Sequence, residues 1–350
     1  MKIYKNVFEK LISLENLFAA WDAFKSDKSN RYDVQVFERK LEENIFELHR
    51  DLQAKKYKHG AYTGFWIRDP KPRHIHKATV RDRVLHHAIF KILNPIFEPT
   101  FIAQSFSCRV GKGTHKGIRE LKEIANKIGR NGHKNVFALK CDVKKFFDSI
   151  DHDVLIKILG RKIGDSDAMW LLSEIVKSFI SKDANIFEHK GVPIGNLTSQ
   201  LFANVYMNEF DQFMKHDIRV KHYLRYTDDF VVVSDNKEYL GELIPLISNF
   251  LREKLALSLH PNKVTIRKFH QGIDFLGYVI LPHYRQLRTK TKKRIFNKIF
   301  RRVLEKKQGL ISDETLKQSL QSYLGVLGHA NSYKLSQELI NQFWFWLTEK

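Results

Sequence analysis

The stretch HYLRYTDDFVVVSD, residues 222–235, decides how the rest of the chain is read. HYLRY (222–226) and FVVVSD (230–235) are rich in β-branched and aromatic residues. Thr227, Asp228 and Asp229 stand between them. Two such runs across a three-residue gap predict a β-hairpin with acids at its tip. Aspartate is common in turns. Two adjacent carboxylates, however, repel each other unless positive charge lies near them. Hard divalent cations such as Mg²⁺ are held by a few carboxylates together with substrate phosphates, so the tip is a candidate metal site.

A third acid stands upstream. NVFALKCDV (135–143) predicts a short strand ending on Asp142, followed by Lys144, Lys145, Phe146, Phe147 and Asp148. A lone carboxylate at the end of a buried strand is desolvated at a cost. Either a bound cation or a capping role for the next segment answers that cost. If this strand lies beside the hairpin, Asp142, Asp228 and Asp229 converge on one sheet edge, as two-metal phosphoryl transfer requires.

Around these strands the pattern is mixed. Residues 1–60 place apolar side chains at helical spacing, for example Phe37, Leu41, Ile45, Leu48 and Leu52. Residues 61–77 read as short strands and a turn broken by Pro70 and Pro72. Helices are expected over 80–97, ending near Pro95 and Pro99, and over 151–180, 199–215 and 238–255. VTIRKF (264–269) and IDFLGYVIL (273–281) read as strands, and from about 286 the pattern is helical. The expected class is α+β, an antiparallel sheet backed by helices.

Across 350 residues, 60 Lys and Arg face 39 Asp and Glu, a formal charge of +21. That excess points to a polyanionic partner, with nucleic acid first. Cys108 and Cys141 imply neither a disulfide framework nor a zinc site. The first residues lack the apolar core of a signal peptide, and no apolar run approaches the ~20 residues of a membrane span. The cytoplasm is the expected location, without a membrane partner.

Taken together, these motifs resemble those of reverse transcriptases. Arg225-Tyr226-Thr227-Asp228-Asp229 resembles the family's Tyr-x-Asp-Asp hairpin. Cys141-Asp142 through Phe146-Phe147, with Asp148-Ser149-Ile150-Asp151-His152, resembles the first metal-binding motif of group II intron-like members. Val80-Arg81-Asp82-Arg83 and Phe275-Leu276-Gly277-Tyr278 resemble flanking motifs, in the family's order. The resemblance implies a right-hand polymerase. Its N-terminal helical extension is 1–60, its fingers and palm are 61–280, and its basic helical thumb is 281–350. The implied activity is RNA-directed DNA synthesis. Asp142, Asp228 and Asp229 would be catalytic, holding two Mg²⁺ ions together with Val143, and Mn²⁺ would substitute. The implied partners are template RNA, primer or cDNA, and dNTPs.

The resemblance also assigns a nucleotide pocket. Phe147 would pack under the sugar and exclude a 2′-hydroxyl. Arg73 would clamp the triphosphate, with Arg68 or Lys71 as the second cation. Lys263, in His260-Pro261-Asn262-Lys263, would sit near the phosphates. His74, His76, His86 and His87 lack companions spaced for zinc, which leaves RNA contact or packing.

Gly191-Val192-Pro193-Ile194-Gly195 opens onto a helix, where glycine lets backbone approach a nucleotide closely. Most family members carry Gln-Gly at the place of Ile194-Gly195, and Ser-Pro at the place of Ser199-Gln200. The departure resembles the reverse transcriptases of diversity-generating retroelements, as do Gly111-Lys112-Gly113-Thr114 and Ser322-Tyr323-Leu324-Gly325. Gly-Lys-Gly-Thr is not a Walker loop, since the required spacing is missing. This narrower resemblance implies error-prone copying and a small helical accessory protein. A defence-associated or retron-like reverse transcriptase shares the same chemistry, and a non-catalytic RNA-binding scaffold is the third alternative.

Between Arg285 and Lys307 stand eleven Lys or Arg and one acid, Glu305. Arg288, Lys292, Lys293, Arg294 and Lys298 are the candidate nucleic-acid contacts, on a helix whose packing face is expected to carry Ile295, Phe296, Ile299, Phe300, Val303 and Leu304.

Overall fold

The structure is a computed structural model that describes residues 2–69, 71–181 and 188–349. The chain opens with α1 (Phe8–Ile12), α2 (Leu14–Lys25), α3 (Tyr32–Glu38) and α4 (Leu41–Gln53). Their apolar positions are buried: Leu11, Leu17, Trp21, Phe24, Val34, Ile45 and Leu48. Ser13 caps α2 by accepting from the Asn16 N–H. Next come the hairpin strands β1 (Thr63–Ile67) and β2 (Arg73–Lys77), then α5 (Val80–Phe97). α5 contains Pro95 and ends at Phe97. The proline supplies no N–H for the Lys91 carbonyl, and the helix ends two residues later.

Asp82, in the first turn of α5, is fully buried. It accepts from Tyr57 Oη at 2.7 Å, Thr79 Oγ1 at 2.6 Å and the Gly60 N–H at 3.1 Å. Removing this acceptor leaves three donors stranded, at roughly 1–3 kcal/mol each before relaxation. Asp82→Ala is therefore expected to destabilise the fold by about 3 kcal/mol or more. Denaturant unfolding checks this, and a loss under about 1 kcal/mol would contradict it.

The chain continues with α6 (Thr114–Ile128), β3 (Phe137–Asp142), α7 (Phe146–Ser149), α8 (His152–Gly160), α9 (Ser166–Lys177) and α10 (Leu197–Gln212). The helix expected over 151–180 is thus two. Asp165 interrupts it by accepting from the Asp167 and Ala168 N–H groups, which starts α9 afresh. The helix expected over 199–215 begins at Leu197 and passes into a π turn over Phe213–Asp217.

The hairpin of the opening stretch is present as β4 (Tyr223–Tyr226) and β5 (Asp229–Ser234). After α11 (Lys237–Leu255) come β6 (Thr265–Lys268), β7 (Ile273–Phe275), β8 (Tyr278–Ile280) and β9 (Arg285–Leu287). The chain closes with α12 (Thr289–Lys307), α13 (Asp313–Gly328) and α14 (Tyr333–Thr348). Residues 285–287 were expected near a helix start, but β9 takes them by pairing antiparallel with β8, Tyr278 opposite Leu287.

The larger sheet has the order β4-β5-β3-β6. β6 lies antiparallel to β3, with Phe137 opposite Lys268 and Lys140 opposite Thr265. The class is α+β. The chain divides into two compact units. The first comprises Met1–Gly113, Cys141–Phe230 and Leu243–Val264, and the second Thr114–Lys140, Val231–Glu242 and Thr265–Lys350. Tyr206, Phe210, Tyr223, Leu224 and Phe230 are buried in the first. Leu121, Leu240, Ile295, Ile299, Val303 and Leu339 are buried in the second. Among the described residues, no helix is long and apolar enough to cross a membrane.

Candidate active site

Asp142, Asp228 and Asp229 all belong to the first unit. β3 delivers Asp142, and the β4–β5 turn delivers the pair. Backbone bonds tie the two together: the Val143 N–H donates to the Asp228 carbonyl at 3.2 Å. On the other side of β3, the His260 N–H donates to the Asp142 carbonyl at 2.7 Å, and the Lys144 N–H to the Ser258 carbonyl at 2.9 Å. The segment before β6 is thereby held against the strand end, which sets Lys263 over Asp142. Lys263 Nζ donates to Asp142 Oδ1 at 2.6 Å.

Asp228 reports on the electrostatics. Burial pushes its carboxyl up, and the negative charge of Asp142 adds to that, to a pKa of about 6. Lys263 and Arg73 pull in the opposite direction. Asp142, Lys263 and Arg73 therefore all act on Asp228, although they stand far apart in the sequence.

Among the described residues, no group of three or more His, Cys, Asp or Glu stands close enough to hold a metal ion by protein ligands alone. That agrees with the chemistry of Mg²⁺, which takes one or two carboxylates and completes its shell with water and substrate phosphate. The donor type fits such an ion. Burial and then the charge of Asp142 disfavour the carboxylate of Asp228, a cost that a bound divalent cation would relieve.

Phe147 lies in α7, five residues after Asp142. Phe146 is buried, whereas Phe147 is half-buried and meets it edge-on at 5.4 Å. The Phe147 carbonyl accepts from the Val192 N–H at 2.8 Å, which ties this turn to the glycine loop. In the loop, the Ile194 carbonyl accepts from the His76 N–H at 3.1 Å. Gly195 has φ +126°, and a Cβ there would stand 3.0 Å from Ile75 Cγ2. Only glycine takes that conformation without strain. Ile194, Gly195 and the β1–β2 hairpin are thus one assembly.

Arg73 opens β2 and is exposed, as are Arg68 and Lys71. The other cations of this segment serve the fold: Arg83 and Lys77 pair with Asp33, and Arg81 with Asp51. His86 is buried beneath the loop. Its Nδ1 meets Thr198 Oγ1 at 2.8 Å, and its Nε2 meets Asn196 Nδ2 and His59 Nε2, each at 3.2 Å. Burial, then the neighbouring His59 and His87, lower its pKa to about 3, so it is neutral. It belongs to packing.

Arg288, Lys292, Lys293, Arg294 and Lys298 belong to the second unit. Arg288 is the N-cap residue of α12 and pairs with Asp274. Lys292, Lys293, Arg294 and Lys298 lie within α12, whose buried residues are Ile295, Ile299 and Val303. Phe300 and Leu304, expected on that apolar face, are exposed.

Sequence reasoning missed Asp211 and Arg225. Both are fully buried, and they form a bidentate pair behind the hairpin turn. The available signal was a charged residue inside the apolar run HYLRY.

The chain is similar to known proteins over part of its length. The chain is 26% identical over 236 residues to Protein YkfC of Escherichia coli, covering 58% of this chain and 61% of that one. It is 26% identical over 265 residues to the group II intron-encoded protein LtrA of Lactococcus lactis, covering 58% and 43%. The chain thus spans less than two thirds of each of these relatives. A solved telomerase of Candida albicans, in complex with a fragment of telomeric RNA, superposes with a TM-score of 0.49 at 11% identity, over 90% of this chain and 59% of that one. A family sequence model, reverse transcriptase (RNA-dependent DNA polymerase), matches residues 58–280, a span that includes Asp142, Asp228 and Asp229 and the candidate nucleotide-pocket residues. The chain belongs to the reverse transcriptase family.

Proposed function

We propose that this chain synthesises DNA on an RNA template, with Asp142, Asp228 and Asp229 as its catalytic carboxylates. The observation that carries this reading is the junction of β3 with the β4–β5 turn, where the Val143 N–H donates to the Asp228 carbonyl at 3.2 Å and Lys263 meets Asp142. In this reading residues 61–280 are fingers and palm, residues 281–350 are the thumb, and residues 1–60 are an N-terminal helical extension.

Asp142, Asp228 and Asp229 would hold two Mg²⁺ ions through their side-chain oxygens, with a backbone oxygen of Val143, and the metal would supply activation of the primer 3′-hydroxyl and charge neutralisation at the leaving pyrophosphate. Arg73, with Arg68, clamps the triphosphate, since guanidinium forks match phosphate geometry. Lys263 exchanges Asp142 for a phosphate oxygen and donates a proton to the leaving group. Phe147 sits under the sugar, and the Ile194-Gly195 backbone borders the nascent pair. Arg288, Lys292, Lys293, Arg294 and Lys298 follow the template–primer phosphates, so binding weakens steeply with salt. A DNA primer on an RNA template with dNTPs and Mg²⁺ or Mn²⁺ tests the reading. Extension supports it, and no extension with either ion, even with the accessory protein, contradicts it.

The finer reading is a diversity-generating retroelement enzyme. Ile194 supports it: isoleucine cannot hydrogen-bond nucleotide or template as glutamine does, so wrong pairs are rejected less well. Ile194→Gln is expected to lower misincorporation opposite template adenine by about tenfold, close to 1.4 kcal/mol. Sequencing of the cDNA measures this, and an unchanged error spectrum would favour the retron-like or defence-associated alternative.

A further inference from the structure

The turn that carries Asp228 and Asp229 is held from behind by a buried arginine. Arg225 and Asp211 are both fully inaccessible to solvent. Arg225 Nε donates to Asp211 Oδ1 at 2.7 Å and Nη2 to Oδ2 at 2.6 Å. Nη2 also donates to Ser105 Oγ at 3.0 Å, and Nη1 to the Thr227 carbonyl at 3.0 Å. Tyr223 Oη donates to Asp211 Oδ1 at 2.8 Å. The Arg225 backbone is fixed as well: its N–H donates to the Gln104 carbonyl at 3.0 Å, and its carbonyl accepts from the Phe106 N–H at 2.9 Å.

Thr227 has φ +57°, the left-handed region that a β-branched residue rarely adopts. Two bonds keep it there. Arg225 holds its carbonyl, and Thr227 Oγ1 donates to Ser107 Oγ at 2.6 Å. The carbonyl that Arg225 holds belongs to the peptide leading into Asp228. Fixing that peptide plane fixes the direction in which Asp228 leaves the strand.

A buried ion pair is weak evidence for stability, since an apolar pair of similar volume often serves as well. Apolar side chains, however, cannot hold a backbone carbonyl. Lysine cannot hold both either, because only the planar guanidinium fork reaches a carboxylate on one edge and a carbonyl on another.

We propose that Arg225, anchored by Asp211, is a positioning residue that orients the Asp228–Asp229 turn for metal binding and nucleotidyl transfer. The proposal rests on the polymerase reading above. It adds that α10, through Asp211, sets the geometry of the catalytic hairpin.

Two variants test it. Arg225→Lys keeps the charge opposite Asp211 but loses the reach to Thr227. The double variant Arg225→Met with Asp211→Leu fills the volume without a buried charge. Three quantities are compared with wild type: thermal midpoint, single-turnover rate with KM for dNTP, and Mn²⁺ affinity by electron paramagnetic resonance without nucleotide. The expected result is a folded variant with its rate lowered at least tenfold, KM for dNTP within twofold, and Mn²⁺ bound at least fivefold more weakly. A folded variant with wild-type rate and Mn²⁺ affinity overturns the proposal. Failure of both variants to fold also overturns it, since the pair is then structural. Wild-type protein that makes no DNA defeats the polymerase reading instead, and the Mn²⁺ comparison still decides the role of Arg225.

Discussion

Asp228→Asn is expected to abolish DNA synthesis, by at least about a thousandfold, while making the protein more stable at neutral pH. The two effects have one cause. The folded state raises the carboxyl of Asp228 from 3.8 to about 6, through burial first and then the charge of Asp142. The folded protein therefore holds this proton more tightly than the unfolded chain. That contribution to stability is fully present below about pH 4, is lost as pH rises through about 6, and is absent at neutral pH. The rise from 3.8 to about 6 corresponds to roughly 3 kcal/mol. Asparagine keeps the shape and removes the titration. The stability difference between variant and wild type should thus be small near pH 4, open between 4 and 6, and remain constant above. Added Mg²⁺ should narrow it by stabilising wild type alone. Thermal unfolding from pH 4 to 8, with and without Mg²⁺, measures this. A variant less stable than wild type at pH 7.5 would contradict the account, because the Asp228 carboxylate would then not be disfavoured by burial and the neighbouring charge of Asp142.

The second large effect concerns the sugar. Phe147→Ala is expected to reduce discrimination against ribonucleotides by about a hundredfold, near 2.7 kcal/mol, with dNTP incorporation lowered much less. Phe147 is the half-buried member of its pair, and Phe146 is the core member. Its backbone is tied to the glycine loop through Val192, so the variant loses the ring and keeps that tie. Competing rNTP and dNTP in single-nucleotide incorporation gives the ratio. An unchanged ratio would remove Phe147 from the pocket, and the same substitution at Phe146 should instead unfold the site.

The decisive hairpin was legible because its signal is local: two apolar runs and a polar turn within fourteen residues. The strand of Asp142 was legible for the same reason. What tied them together was not, since Lys263 reaches Asp142 across 121 positions and Arg73 influences Asp228 from a separate hairpin. Arg225 shows the limit most clearly. In the sequence it is an arginine beside a turn, and basic residues are common throughout this chain. Only the fold brings Asp211 of α10, Ser105 and the Thr227 carbonyl around it. The cap at Asp165 and the pairing of β9 were missed because helical periodicity ran across them. α6 was not foreseen, and its stretch was read only for the glycine motif ahead of it.

The central claim is that three carboxylates from β3 and the β4–β5 turn form one nucleotidyl-transfer site. It is tested most directly by the single-turnover rate of dNTP addition to a DNA primer on an RNA template, for wild type and for Asp142→Asn. The account predicts addition by wild type, and a rate at least about a thousandfold lower in a variant that still binds primer–template with the same affinity. Equal rates in the two proteins would contradict it.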